Sequence, residues 1–149
     1  MRSWIVFSMG VLASPAGFAA GSSPLNVAVN VVGNCRFNTA SATMNFGVLD
    51  PANVTNATAT AALQFWCTKN AAYAVTDNRG ANRSGAQRRM RDAGSNFINY
   101  SIAPYAASGT GAGKATAITL NLNGTINNAD YVNAAAGAYA DVVTFTVNP

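Results

Sequence analysis

Apolar and polar residues alternate along this chain in short runs of period two, the pattern of strands with one buried face. Residues 25–31 read Leu-Asn-Val-Ala-Val-Asn-Val, so Leu25, Val27, Val29 and Val31 share one side of an extended segment. Met44, Phe46 and Val48 alternate next, in a run that ends at the turn signal Asp50-Pro51. Further strands are predicted over residues 61–67, 72–77 and 97–103. Ile118, Leu120 and Leu122 then alternate with Thr119, Asn121 and Asn123. The last predicted strand covers residues 139–147, with Val143, Phe145 and Val147 on one side and Thr144 and Thr146 on the other. Residues 53–60, 108–114 and 127–137 are small, Gly-rich or Asn-rich and are predicted as loops. A helical turn at residues 134–138 is opposed by Gly137 inside it and Asn133 before it. Helical periodicity is nearly absent, and no internal repeat or linker interrupts the pattern. The fold class expected is all-β, a single sandwich.

The first residues do not belong to that pattern. Met1-Arg2-Ser3-Trp4 carries one positive charge, an apolar run follows to Leu12, and residues 13–21 are rich in small residues with a break at Pro15. This order is that of a secretory signal peptide over residues 1–21, and the apolar run is short of the ~20 residues a bilayer requires. The mature domain is expected over residues 22–149, exported and soluble. In such a chain the two cysteines, Cys35 and Cys67, are expected to form one disulfide.

Charge narrows the chemistry. The five acids are all Asp (Asp50, Asp77, Asp92, Asp130 and Asp141), and there is no Glu and no His. The usual general acid–base groups and metal ligands are therefore scarce, so no catalytic set, metal or cofactor is expected, and the chain reads as a non-enzyme. Alanine supplies much of the apolar fraction and buries little area, so the core is thin. Such a sandwich would gain from one more apolar strand supplied from outside.

The segment over residues 24–32 has two readings. It begins near a free end after cleavage, so it can pair with an open sheet edge on another molecule. Equally, it can be the first strand of its own sandwich.

A set of short motifs shifts the balance toward the first reading. Val31-Val32-Gly33-Asn34-Cys35 is followed by Asn45-Phe46-Gly47, Asp50-Pro51, and Phe65-Trp66-Cys67-Thr68 with Tyr73 shortly after. Arg88-Arg89-Met90, Asn99-Tyr100-Ser101 and the closing run from Gly137-Ala138-Tyr139 to Thr144-Phe145-Thr146-Val147 complete the set. In order and spacing the chain resembles the spore coat protein U domain family, pilins of the archaic Csu-type chaperone–usher fimbriae. The resemblance implies an immunoglobulin-like β-sandwich lacking its last strand. A periplasmic chaperone fills the gap first, and a neighbouring pilin subunit's N-terminal strand replaces it at the outer-membrane usher. Carried onto this chain, Leu25, Val27, Val29 and Val31 are the donor residues, and Val143, Phe145 and Val147 line the acceptor-groove edge. The sequence ends directly after that last strand, in agreement with an open groove. Family members tend to end in an aromatic residue, whereas this chain ends Val147-Asn148-Pro149. The proposed donor is also separated from Cys35 by only Val32-Gly33-Asn34, which keeps open that the same residues serve partly as the domain's own first strand and leaves the donor register open by about two residues.

Two weaker signals remain. Arg79, Arg83, Arg88, Arg89 and Arg91 crowd one stretch, with Asp77 and Asp92 at its edges. They form either a contact for an anionic surface or nucleic acid, or a solvated hairpin pairing with Asp and with neighbouring subunits; the hairpin is preferred, and no nucleic acid partner is expected. Phe65, Trp66, Tyr73, Tyr100 and Tyr105 either line a sugar site or belong to the core. The function expected is a fimbrial structural subunit that supports attachment and biofilm formation, periplasmic in transit and then on the cell surface. A secreted coat or matrix protein and a stand-alone carbohydrate-binding module are the alternatives.

Overall fold

The computed structural model describes residues 20–149, so the predicted signal peptide falls almost wholly outside the described residues. The chain divides into an N-terminal unit ending at Asn30 and a body, Val31–Pro149. Residues 20–34 contain no helix or strand, and Leu25, Val27, Val29 and Val31 are each at least 75% exposed. Among the described residues the alternating segment joins no strand, so it does not supply the first strand of the body. That place belongs to β1, Cys35–Phe37.

The body continues with β2 (Ala57–Cys67), β3 (Ala72–Asp77), β4 (Arg88–Arg91), β5 (Phe97–Ala103), β6 (Ala107–Thr110) and β7 (Ile118–Ile126). A single helical turn, α1 (Asn128–Tyr131), precedes β8 (Phe145–Asn148). All pairings between these strands are antiparallel. One sheet has the order β1-β2-β7-β5-β4 and the other β6-β3-β8. The architecture is a two-sheet sandwich of the immunoglobulin-like kind. Period-two burial along β2 and β7 turns Phe65, Leu120, Leu122 and Ile126 inward, where they join Ile98, Tyr100 and Ile102 of β5 and Val75 of β3. Phe65 ties the layers together, its ring edge-on to Phe37 at 5.7 Å and to Tyr73 at 5.1 Å.

Several expected boundaries move, each for a local reason. The loop predicted over residues 53–60 ends early, because Ala57 and Ala59 turn inward and pair with Ile126 and Gly124 of β7. The Gly-rich loop predicted over residues 108–114 gives up its start to β6. This is an edge strand, where pairing needs backbone more than side chains, and Tyr73 lies opposite Gly109. The helical turn forms at Asn128–Tyr131 rather than over residues 134–138, because Tyr131 is buried there and its hydroxyl donates to the Thr55 carbonyl at 2.8 Å. Residues 44–48 join no ladder. Gly47 takes φ +73°, which resets the alternation: Val48 is exposed, and Leu49 packs against the core beside Met44 and Phe46. The strand predicted over residues 139–147 narrows to Phe145–Asn148.

Cys35 and Cys67 lie opposite each other on β1 and β2 and form a disulfide, with Cα atoms 4.1 Å apart. In the chain-entropy description a link across 32 residues stabilises the domain by about 3–4 kcal/mol. Reduction, or Cys67→Ser, is expected to lower the unfolding free energy by about that amount. Denaturant titrations with and without reductant measure it.

Candidate functional site: a cleft beside the last strand

β8 is bonded on one side only. Its partner is β3, with Thr146 opposite Thr76 and Asn148 opposite Ala74. The pairing is prolonged by Asn78 and Ala81, whose amides donate to the Thr144 and Val142 carbonyls at 3.1 and 3.0 Å. In an antiparallel ladder successive residues direct their backbone groups to opposite sides. The even-numbered residues 142–148 therefore face β3 and the loop after it, and the amides and carbonyls of Val143, Phe145 and Val147 face the free edge. Their side chains are half-buried and pack against the core.

A cleft of about 810 Å³ opens beside this edge. One wall is formed by residues 139–145, and Leu63, Met90, Ile102 and Leu122 contribute to its apolar lining. The opposite wall is the segment from Thr39 to Phe46. That segment rests on the five-stranded sheet at Gly124, where a Cβ would collide with the Met44 sulfur and the Phe46 ring. Among the described residues, 40–49 make no backbone–backbone hydrogen bond. A second cleft of about 540 Å³ shares Met44, Phe46, Met90 and Tyr139 with the first and extends it toward Tyr131. Among the described residues, the result is an apolar trough with backbone donors and acceptors left unused on both borders, except at Ala140, which pairs with Arg91, and at the Gly47 amide, which donates to Asn45 Oδ1. One more β-strand would satisfy both borders and cover the floor.

Polar contacts hold the wall formed by residues 139–145. Asp141 accepts from the Asn82 amide at 3.0 Å, from Asn82 Nδ2 at 3.1 Å and from the Tyr100 hydroxyl at 2.6 Å. Burial, and then the hydrogen bond to Asp141, push the Tyr100 phenol above its ordinary range. Asn78 Oδ1 accepts from the Thr144 amide at 3.0 Å and from the Gly80 amide at 2.9 Å. Beneath this loop Arg88 Nη2 meets Asp77 Oδ2 at 2.6 Å in a buried ion pair. Asp141→Ala is expected to leave the Tyr100 hydroxyl unpaired and to remove two of the bonds that tie Asn82 to the wall, at about 2–3 kcal/mol. Thermal unfolding measures the loss, and Tyr100→Phe, which removes only one of the three bonds, should cost less.

Val143 and Phe145 line the first cleft, Val147 follows on β8 but lines neither cleft, and the exposed Leu25, Val27, Val29 and Val31 lie outside any strand. Sequence reasoning missed residues 40–49 as the second wall, and Asp141 as the fastener of the first. The alternation of Met44 and Phe46 was the available signal for the first. The aromatic set does not converge: Phe65 and Tyr100 are core, and Tyr105 is exposed. Of the Arg-rich stretch, residues 88–91 are a strand in a hairpin, as preferred, but Arg88 is buried rather than solvated. Alternation on β4 turns Arg88 inward to Asp77. Among the described residues no three His, Cys, Asp or Glu side chains form a metal-binding group, and no helix is long and apolar enough to cross a membrane.

The chain is similar to a solved chain in the crystal structure of the CsuC–CsuE chaperone–tip adhesion subunit pre-assembly complex from archaic chaperone–usher Csu pili of Acinetobacter baumannii. The TM-score is 0.50 at 22% identity, over 78% of this chain and 40% of that one. At this identity the likeness bears on the fold, and the present chain spans less than half the length of its neighbour. No curated protein matches the sequence significantly. The Spore Coat Protein U domain family matches residues 22–146, nearly the whole described chain. By that match, the chain belongs to the Spore Coat Protein U domain family.

Proposed function

We propose that the chain is a structural subunit of an archaic chaperone–usher pilus, polymerising by donor-strand exchange. The observation that carries this reading is the apolar trough between residues 40–49 and the free edge of β8, with unused backbone groups on both borders. A bare trough of this kind invites uncontrolled pairing, so the subunit needs a partner from the moment it folds. A periplasmic chaperone supplies the first strand and an outer-membrane usher presides over its replacement. Residues 24–32 of a neighbouring pilin supply the second. In an extended donor Leu25, Val27, Val29 and Val31 project to one face and suit the apolar floor, while the backbone pairs with Val143, Phe145 and Val147 on one side and residues 40–49 on the other. Surface attachment and biofilm formation follow from a fibre displayed outside the cell, and no catalytic step is involved.

The test is co-expression with a candidate periplasmic chaperone. The expected result is a subunit recovered in soluble form only as a heterodimer, and SDS-resistant ladders that collapse on boiling once the chaperone is displaced. A subunit recovered alone as a stable monomer would contradict the reading.

A further inference from the structure

Residues 79–91 hold five of the eight Lys and Arg side chains found after residue 21. Only Arg88 is neutralised, by Asp77. Arg79, Arg83, Arg89 and Arg91 have no carboxylate within ion-pair distance among the described residues. Backbone carbonyls fix them instead. Arg79 Nη1 donates to Ala86 at 3.4 Å, Arg83 Nη1 to Gly85 at 3.0 Å, Arg89 Nε to Asn82 at 3.0 Å and Arg91 Nε to Gly94 at 2.7 Å. A carbonyl orients a guanidinium without cancelling its charge, so four cations are held in place with their remaining donors free.

The arrangement lies on β4 and on the loop before it, and β4 is bonded on its outer side to Ala140 at Arg91. β4 is the last strand of the five-stranded sheet, and Arg89 and Arg91 alternate on the face opposite Arg88. Their guanidinium carbons sit 4.1 and 6.0 Å from the centre of the Phe97 ring, and Arg79 lies 5.7 Å from that of Tyr105. The neighbouring acid, Asp92, is turned to its own loop: Asn96 Nδ2 and the Asn96 and Gly94 amides donate to it at 2.7, 3.0 and 2.9 Å. Cationic side chains on an edge strand also discourage sheet-to-sheet aggregation. That role accounts for Arg89 and Arg91 but not for Arg79 and Arg83, which lie in the preceding loop.

We propose that this edge is a binding site for an acidic polysaccharide, with Arg79, Arg83, Arg89 and Arg91 contacting its carboxylate or sulfate groups. The planar fork of each guanidinium matches either oxyanion. Single-stranded nucleic acid is the poorer fit, because its usual platforms are uncovered aromatic faces, and both rings here already carry a guanidinium. The site is independent of strand exchange. In a fibre it would repeat on every subunit, and weak single contacts would add up through avidity.

The experiment measures binding of the full chain, in complex with its co-expressed chaperone and with the chaperone alone as blank, to heparin and to polygalacturonate, with neutral dextran and duplex DNA alongside, over a series of salt concentrations. Heparin and polygalacturonate are expected to bind and to be released by salt, while dextran does not bind. Arg83→Ala/Arg89→Ala/Arg91→Ala should weaken binding at least about tenfold. Arg36→Ala/Lys69→Ala/Lys114→Ala, which removes the same charge elsewhere, should leave it within roughly twofold. If the first triple variant does not fold, the single changes Arg83→Ala and Arg91→Ala, at exposed positions, should each weaken binding roughly threefold. Equal losses in the two triple variants, no binding to either polysaccharide, or tighter binding to DNA would each overturn the proposal.

Discussion

Val29→Asp in the mature chain is expected to abolish self-assembly while leaving the chain able to receive a strand. In a donor seated in the trough Val29 meets an apolar floor, and an unpaired carboxylate there costs several kcal/mol, or about a hundredfold or more in the exchange equilibrium. The complementary change is Val143→Asp, which places a charge on the accepting wall at a half-buried residue. This chain is expected to donate but not accept. Neither variant alone should form SDS-resistant ladders. Mixed, they should give a single heterodimeric band and nothing longer, because the donating variant fills the intact trough of the other and each partner then lacks one function. Ladders from either variant alone would place the subunit contact elsewhere.

The second large effect is on stability. Asp77→Ala leaves Arg88 buried with no counter-charge, and Arg88 Nη1 already lacks a hydrogen-bond partner among the described residues. Removing one member of a buried pair costs about 3–5 kcal/mol. For a domain of this size that corresponds to a fall in melting temperature of roughly 10–20 °C. Substituting both members, as Asp77→Leu with Arg88→Met, is expected to recover much of the loss, since a packed apolar pair carries no desolvation penalty. Melting curves must compare variants in the same assembly state, because a bound strand raises apparent stability by mass action.

The legible part of the fold was the part where large apolar side chains alternate. β3 and β5 have the bounds predicted, because Val75 on one and Ile98, Tyr100 and Ile102 on the other mark the buried face unambiguously. The first half of β2 was missed because Ala-Thr-Ala-Thr buries little area and gains its place only by pairing with β7. Val48 was put on the wrong face because a single positive φ at Gly47 resets the alternation, and no spacing rule reports that. Arg88 was hidden by its company: a run of arginines suggests solvent, yet the pleat of β4 turns every second side chain inward.

The candidate site was half legible for a related reason. Alternation says which face of a segment wants burial, but not what covers it. Val143, Phe145 and Val147 could be placed on one side of the last segment; Phe145 and Val147 belong to β8, an outer strand of its sheet, and Val143 precedes it. Leu25, Val27, Val29 and Val31 show the same alternation and stand exposed, so for them the pattern marks a demand that the described residues leave unmet. The wall at residues 40–49 depends on a trough at Gly124, a tertiary feature with no local signature.

The most direct measurement is amide hydrogen exchange on a chain lacking residues 22–31, refolded from denaturant and used at once, before and after adding a synthetic peptide of residues 22–34. Strong new protection is expected at Val143, Phe145 and Val147 and along residues 40–49, together with a large rise in melting temperature. Exchange at those amides that is unchanged by the peptide, or already fully protected without it, would contradict a trough completed by a strand from another molecule.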